Sequence, residues 1–129
     1  MIVAGVGHSI LLDLEEAVKD ACSMAMEQMG STTVDFLLCF ATTEFASHYP
    51  RLFKELETRA GTPNIVGCSA MAVLTGEREF EGSPGLAILA ISSDELKTIP
   101  FLADDPSLAG ETIQELTKDR LSQGAAGNA

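Results

Sequence analysis

The chain has 129 residues, 46% of them apolar, and this length predicts one domain with one core. Its 8 Lys and Arg residues against 19 Asp and Glu residues give a net charge of -11, which excludes nucleic acid as a partner because phosphate backbones would be repelled. No run approaches the roughly 20 apolar residues that cross a bilayer, and no basic segment precedes the first apolar residues. We therefore expect neither membrane insertion nor an export signal.

The cysteines and histidines do not follow the spacing of a metal site or of a disulfide framework. Cys22, Cys39 and Cys68 lie in three separate apolar segments, and His8 and His48 have no second ligand at metal-binding spacing. Reduced thiols are typical of proteins in the cytoplasm. We expect a cytoplasmic protein without a metal site and without a cofactor.

The first predicted elements are a strand and an amphipathic helix. Ile2–Val6 is short, apolar and partly β-branched, which is typical of a strand that ends in the loop Gly7-His8-Ser9. From Asp13 onward, apolar residues recur at spacings of three and four, and this pattern predicts a helix. Asp13 is its predicted N-cap, and Gly30 is its predicted end.

Two more strands and a second helix follow. Val34–Ala41 is apolar at nearly every position, which predicts a central parallel strand covered by helices on both faces. The next helix carries Pro50 in its first turn and ends at Gly61. Asn64–Cys68 completes a βαβαβ order, with three strands expected side by side in one direction.

The second half of the chain has a different pattern. Ala70–Leu74, Leu86–Ser92 and Lys97–Phe101 are predicted strands without helices between them, so we expect them to pair antiparallel. The segment 75–84 is charged and bounded by glycine and proline, which is typical of an exposed loop.

A helix around Gly110–Leu121 closes the predicted domain. The resulting fold class is α/β, a three-layer sandwich whose mixed sheet has a βαβαβ parallel first half, then antiparallel strands and a C-terminal helix. We place the domain at residues 1–122 and a flexible tail at 123–129, because the tail has little apolar surface to offset its ordering entropy.

Small and hydroxyl-bearing residues follow each predicted parallel strand, at the edge where α/β sheets bind ligands. We expect a small polar or zwitterionic ligand there, with glycine allowing close approach, hydroxyls forming hydrogen bonds and Glu44 meeting an ammonium group. The predicted ligand-binding residues are His8, Ser9, Thr42, Thr43, Glu44, Gly67, Cys68 and Ser69.

Several of these residues have a second interpretation. The hydroxyls of Ser9 and Thr43 are equally able to bond local backbone, and His8 has no orienting carboxylate in sequence. Cys68, at the end of a strand beside Ser69, is the one candidate nucleophile and is also compatible with turn packing. No catalytic residue is assigned, and a dinucleotide motif is excluded because Ile10 occupies the third glycine position.

The sequence resembles the FIST N-terminal domain family over roughly its first hundred residues. The segment Gly67-Cys68-Ser69 followed by Thr75-Gly76-Glu77 is the most specific part of the resemblance, and Phe80-Glu81-Gly82-Ser83-Pro84 continues it. The strand Asp35–Ala41 and the segment Tyr49–Leu52 are similar as well. One departure is Met71-Ala72, where members often carry a smaller residue and glycine.

The resemblance implies a sensory domain of a signal-transduction protein that binds small ligands such as amino acids, and implies no enzyme activity. It also implies a second, carboxyl-terminal domain in the full-length protein, and the chain ends before one. Two alternatives stay open at this point. One is a cysteine-dependent enzyme with Cys68 as its nucleophile, and the other is a non-catalytic domain that self-associates as a homodimer.

Overall fold

A computed structural model describes residues 1–30 and 33–127 of the chain, with side chains as far as residue 120. The chain forms two compact units, Met1–Thr98 and Ile99–Ala129. The described elements of the first unit are, in chain order, β1 (Ile2–Ser9), α1 (Leu14–Met29), β2 (Phe36–Thr42), a 3-10 helix (Thr43–His48), α2 (Tyr49–Ala60), β3 (Ile65–Ala70), β4 (Val73–Leu74), β5 (Glu79–Phe80) and β6 (Leu86–Ser93).

Both helices of the first unit begin and end at the residues that the sequence predicts. Asp13 caps α1 by accepting a hydrogen bond from the Glu16 backbone N–H at 3.0 Å, and Gly30 ends it with a φ of 74°. Pro50 lies in the first turn of α2, and Gly61 ends that helix in the left-handed conformation. The predicted apolar stripe of α1 is buried together with Cys22, and its members are Leu14, Ala17, Val18, Ala21, Ala25 and Met29.

The main sheet is mixed, as predicted, with the strand order β1-β6-β2-β3. β2 and β3 are parallel, whereas β6 is antiparallel to both β1 and β2. β1, β2 and β3 therefore do run in one direction. The prediction that they lie side by side is wrong, because β6 lies between β1 and β2 and forms backbone hydrogen bonds with each of them.

The structure does not confirm the three-layer order, because α1 and α2 pack on the same face of this sheet. Leu37, Cys39 and Ala41 of β2 belong to one buried cluster with residues of both helices. The order β1-β6-β2-β3 explains this arrangement, since two right-handed crossovers that advance in the same direction put their helices on one side. The other face of β2 carries Phe40, which is 41% exposed.

Backbone-to-backbone packing of α1 on β1 explains two glycines. A Cβ atom at Gly5 would collide with the carbonyl oxygen of Ala25, and one at Gly7 with that of Ala21. Together with the two helix alanines, these glycines let the helix approach the strand without intervening side chains. The Gly5-x-Gly7 pattern thus serves the packing of the first crossover.

The segment after β3 folds into a small hairpin of β4 and β5. Predicted strand Ala70–Leu74 is divided between the end of β3 and β4, and Phe80 in the predicted loop belongs to β5. Phe80 is buried with Val73 and Ala87 in a second, smaller cluster. The predicted strand Lys97–Phe101 is wrong, because the described backbone there is irregular.

The second unit contains a short 3-10 helix, Pro106–Leu108, and α3, Ala109–Gly127. The predicted C-terminal helix is confirmed, and it extends beyond the predicted end at Leu121. The flexible tail predicted at 123–129 stays a prediction. Its side chains, and all of residues 128 and 129, lie outside what the structure describes. None of the described helices is both long enough and apolar enough to cross a membrane.

Candidate functional site

The ends of β1, β2 and β3 lie at one edge of the sheet, as the sequence predicts. Ser9 is in register with Leu86, Leu86 with Ala41, and Ala41 with Ser69, so these residues form one row across the sheet. Strands in a sheet are about 4.8 Å apart, and three spacings put β1 roughly 14 Å from β3. The candidate residues on β1 and β3 are thus too far apart to surround one small ligand.

One cleft of about 320 Å³ lies beside the end of β1, and we call it the β1 cleft. Of the predicted site residues it contains His8 and Ser9. The others that line it come from α1, from the loop before α1 and from the hairpin, and they are Ile10, Leu11, Asp20, Ser23, Met24, Arg78 and Phe80.

Local contacts fix the walls of the β1 cleft. The rings of His8 and Phe80 pack with their centroids 5.3 Å apart, which attaches the hairpin to the end of β1. Ser9 is 5% exposed, and its hydroxyl oxygen accepts a hydrogen bond from the Leu11 N–H at 3.2 Å. The Ser9 hydroxyl therefore bonds local backbone, which is the second interpretation that the sequence left open.

A tight turn holds the backbone of Arg78, which is one of the residues that line this cleft. The Thr75 N–H donates to the Arg78 carbonyl at 2.7 Å, and the Thr75 hydroxyl oxygen accepts from the N–H groups of Glu77 and Arg78, each at 3.3 Å. Within the part of the chain that the structure describes, the Arg78 side chain forms no ion pair. Its guanidinium is therefore available to an anionic group in the cleft.

Thr42, Thr43 and Glu44 lie outside the β1 cleft. Thr42 is 1% exposed, and its hydroxyl oxygen accepts a hydrogen bond from the Gly85 N–H at 2.9 Å, which fixes the loop before β6. A hydrogen bond with the Thr42 side chain lowers the pKa of the exposed Glu44 carboxyl. Thr43 is exposed at the start of the 3-10 helix.

The three predicted residues of β3 border a separate hollow of about 110 Å³ between β3 and α2. The structure thus brings Gly67, Cys68 and Ser69 together, apart from His8 and Ser9. This β3 hollow is mainly apolar, and its other lining residues are Cys39, Ala41, Tyr49, Leu52 and Phe53. Ligand binding by any of the eight predicted residues stays a prediction.

The three cysteines have different surroundings. Burial raises the pKa of Cys22 to about 11 and that of Cys39 to about 12, whereas Cys68 is exposed. His8 lies in the same row as Cys68 but three strand spacings, roughly 14 Å, away, so it is not placed to act as its base. Among the described residues, no group of three or more His, Cys, Asp or Glu side chains is arranged to hold a metal ion.

Sequence reasoning missed Asp20, Arg78 and Phe80. In the sequence, Asp20 is one of the charged residues off the apolar stripe of α1, and Arg78 lies in the segment predicted to be an exposed loop. The available signal was Phe80, an aromatic residue in an otherwise charged segment bounded by glycine and proline. An apolar residue at that position indicates that the segment folds back onto the sheet.

A comparison with known protein families identifies the family of the chain. The family model described as the FIST N domain matches residues 35–126, and no curated protein matches the chain. This confirms the family resemblance, although the match begins later and extends further than the first hundred residues. Arg78 and Phe80 lie inside the matched region, whereas His8, Ser9 and Asp20 precede it.

Proposed function

Because the chain belongs to the FIST N domain family, which is associated with sensing in signal transduction, we propose that it is the ligand-sensing module of a signal-transduction protein. The observation that carries the proposal is the β1 cleft, where residues of β1, α1 and the hairpin meet. Its volume of about 320 Å³ is in the range of small-molecule sites.

The ligand in this proposal is a small zwitterion, such as an amino acid. Arg78 is suited to binding a carboxylate with two N–H groups, and Asp20 lines the same cleft with the charge needed for an ammonium group. In this proposal Asp20 binds the ammonium group, a role that the sequence predicted for Glu44. Ile10, Leu11 and Met24 supply the apolar lining for an aliphatic side chain.

Sensing requires that binding favour one arrangement of the protein over another. Arg78 is on the β4–β5 hairpin and Asp20 is on α1, so a ligand that bridges them connects the hairpin to the helix. The hairpin has two short strands and a small apolar cluster, and it is the weakest-anchored wall of the cleft. We propose that the hairpin changes its position or mobility when ligand binds.

The rest of the proposal concerns where the signal goes. A second, carboxyl-terminal domain receives it, as the family resemblance implies. The location is the cytoplasm, in agreement with three cysteines that are free thiols in the structure.

Thermal unfolding with a panel of L-amino acids tests this function. A ligand at a hundred times its Kd stabilises the folded state by about 2.7 kcal/mol, which raises the midpoint by roughly 10 °C for a domain of this size. Arg78→Ala removes the shift, and Asp20→Asn reduces it. The matched control is Arg51→Ala, which removes an exposed arginine paired with Glu15 and leaves the shift intact.

The charge pattern of the ligand is tested with the analogues of the most effective amino acid that lack the amino group or the carboxyl group. If Asp20 binds the ammonium, the analogue without an amino group binds wild type and Asp20→Asn equally. A panel that leaves the midpoint of the wild-type protein unmoved at millimolar concentration contradicts the sensing proposal.

A further inference from the structure

The outer edge of β3 is a strand edge without the usual protection. Within Met1–Thr98, β2 pairs with one side of β3 and no strand pairs with the other. The four residues from Val66 to Ser69 are all exposed. The whole strand, Ile65–Ala70, has no charged residue and no proline, the features with which proteins block pairing at an edge.

The opposite edge of the same sheet is protected differently. On β1, the outward N–H of Val6 donates to the side-chain oxygen of Gln28 at 2.9 Å, so a helix side chain occupies part of this edge. The two edge strands of one sheet thus differ in protection.

The direction of the free groups follows from the pairing with β2. The Leu37 N–H donates to the Asn64 carbonyl at 3.0 Å, so Asn64 and every second residue after it direct their backbone groups to β2. Gly67 and Ser69 therefore direct both N–H and C=O away from the sheet. Ile65 also faces outward, but its N–H already donates to the Pro63 carbonyl at 3.0 Å.

We propose that β3 pairs antiparallel with β3 of a second copy of this chain, around a two-fold axis at Cys68. In this register Gly67 of each copy faces Ser69 of the other, and the two residues satisfy all of their outward N–H and C=O groups. The Ile65 N–H needs no partner from the second copy, because it already donates to the Pro63 carbonyl. The result is one continuous eight-stranded sheet formed from two four-stranded sheets.

The absence of charged residues on β3 makes this strand a place where a second copy can approach closely. The chain has a net charge of -11, and most approaches of two copies are therefore repulsive. β3 is an uncharged stretch, and an antiparallel pairing around Cys68 puts Val66 opposite Ala70 and the two Cys68 side chains opposite each other. Phe40, in register with Cys68 and 41% exposed, extends the apolar strip on the same face.

Thiol cross-linking tests the register. Diamide accepts two electrons and two protons as a pair of Cys68 thiols joins in one disulfide, and it is itself reduced to the hydrazine. We expect a disulfide-linked dimer in wild type and none in Cys68→Ser. Cys22 and Cys39 are buried and are not expected to react. Cys68→Ser still forms the non-covalent dimer, which sedimentation velocity detects as a concentration-dependent mass.

A charge placed on the strand tests the surface. Ser69→Lys makes the net charge less negative, which by itself weakens general repulsion, yet it brings two like charges close together in the proposed dimer. We expect at least a tenfold weaker dimer for Ser69→Lys. Ser47→Lys makes the same charge change at an exposed position of the 3-10 helix and leaves dimerisation unchanged or slightly stronger.

Hydrogen exchange supplies a readout that does not depend on mutation. The amides of Gly67 and Ser69 are expected to exchange at least tenfold more slowly at high protein concentration than at low concentration. A monomer across the accessible concentration range overturns the proposal. So does a dimer in which Cys68 does not cross-link, or slow exchange of Gly67 and Ser69 that is the same at every concentration.

Discussion

The two sides of the main sheet differ in how completely they are covered. On the β1 side, α1 packs with its backbone directly on the strand, and the hairpin adds a wall that leaves a cleft. On the β3 side, one face of the strand borders α2 and a small apolar hollow, while residues Val66–Ser69 stay exposed. Tight packing and an open cleft therefore occur together at β1, whereas β3 presents an exposed strand edge.

The largest expected effect is on the face of β2 that the helices cover. Leu37 is fully buried in the main cluster, so Leu37→Ala is expected to lower the free energy of unfolding by about 2–5 kcal/mol. Leu74→Ala, at a residue of β4 that is 73% exposed, is the control and is expected to cost less than about 0.5 kcal/mol. Urea denaturation measures both, and equal losses would contradict the difference in burial.

A cost of about 3 kcal/mol is expected from Gly7→Ala, because the added methyl group meets the carbonyl of Ala21 on α1. The control is Gly76→Ala, where the added methyl group has no neighbour within 4 Å. Chemical denaturation of the two variants compares them. A stable Gly7→Ala would show that α1 is able to move away from β1, and the account of close packing would be wrong.

Alkaline pH tests the burial of the Cys22 and Cys39 thiols. Burial raises the folded-state pKa values of Cys22 to about 11 and Cys39 to about 12, against an ordinary value near 9.0. The stabilisation from keeping each thiol neutral is complete below pH 9 and is lost as the pH rises through the folded pKa. Stability should therefore fall by roughly 1.4 kcal/mol per pH unit for each thiol above pH 9.

A cysteine variant checks this pH dependence. Cys22→Ala is expected to reduce the slope between pH 9 and 11 by about 1.4 kcal/mol per unit. Urea unfolding of wild type and variant at a series of pH values gives the slopes. Equal slopes in the two proteins would contradict the burial of Cys22.

The smallest effect concerns a helix end on the β1 side. Asp13→Ala removes the side-chain acceptor for the Glu16 N–H and is expected to cost about 1 kcal/mol. Asp13→Asn retains an acceptor and should lose only a few tenths. A thermal melt distinguishes the two variants, and equal losses would mean that the cap does not stabilise α1.

Local signals in the sequence were sufficient for the helices of the first unit. Asp13, Gly30, Pro50 and Gly61 mark helix ends through interactions within a few residues, and the structure has each of them at the predicted place. The insertion of β6 between β1 and β2 could not be predicted in this way. β6 pairs with β1 and β2 through residues more than forty positions away in the chain, and local signals do not decide which apolar strands become neighbours.

Only part of the candidate site could be predicted from the sequence, because the rest depends on contacts between distant segments of the chain. His8 and Ser9 were expected in a loop after β1, but the structure has them as the last two residues of that strand, where they line a cleft at the expected edge. Asp20 joins them from α1, and Arg78 joins them because the hairpin folds over the end of β1, a contact made by Phe80. No periodicity within the charged segment 75–84 reports that contact. Glu44 was chosen for its charge, but its strand end lies outside the cleft.

The central claim is that the β1 cleft is where a small zwitterion binds, and amide NMR during a titration with the most stabilising amino acid tests it most directly. The account predicts saturable shifts at Ser9, Asp20 and Arg78 in wild type and their loss in Arg78→Ala, with Val66 unchanged. Shifts centred on residues 67–69, or identical shifts in Arg78→Ala, would contradict it.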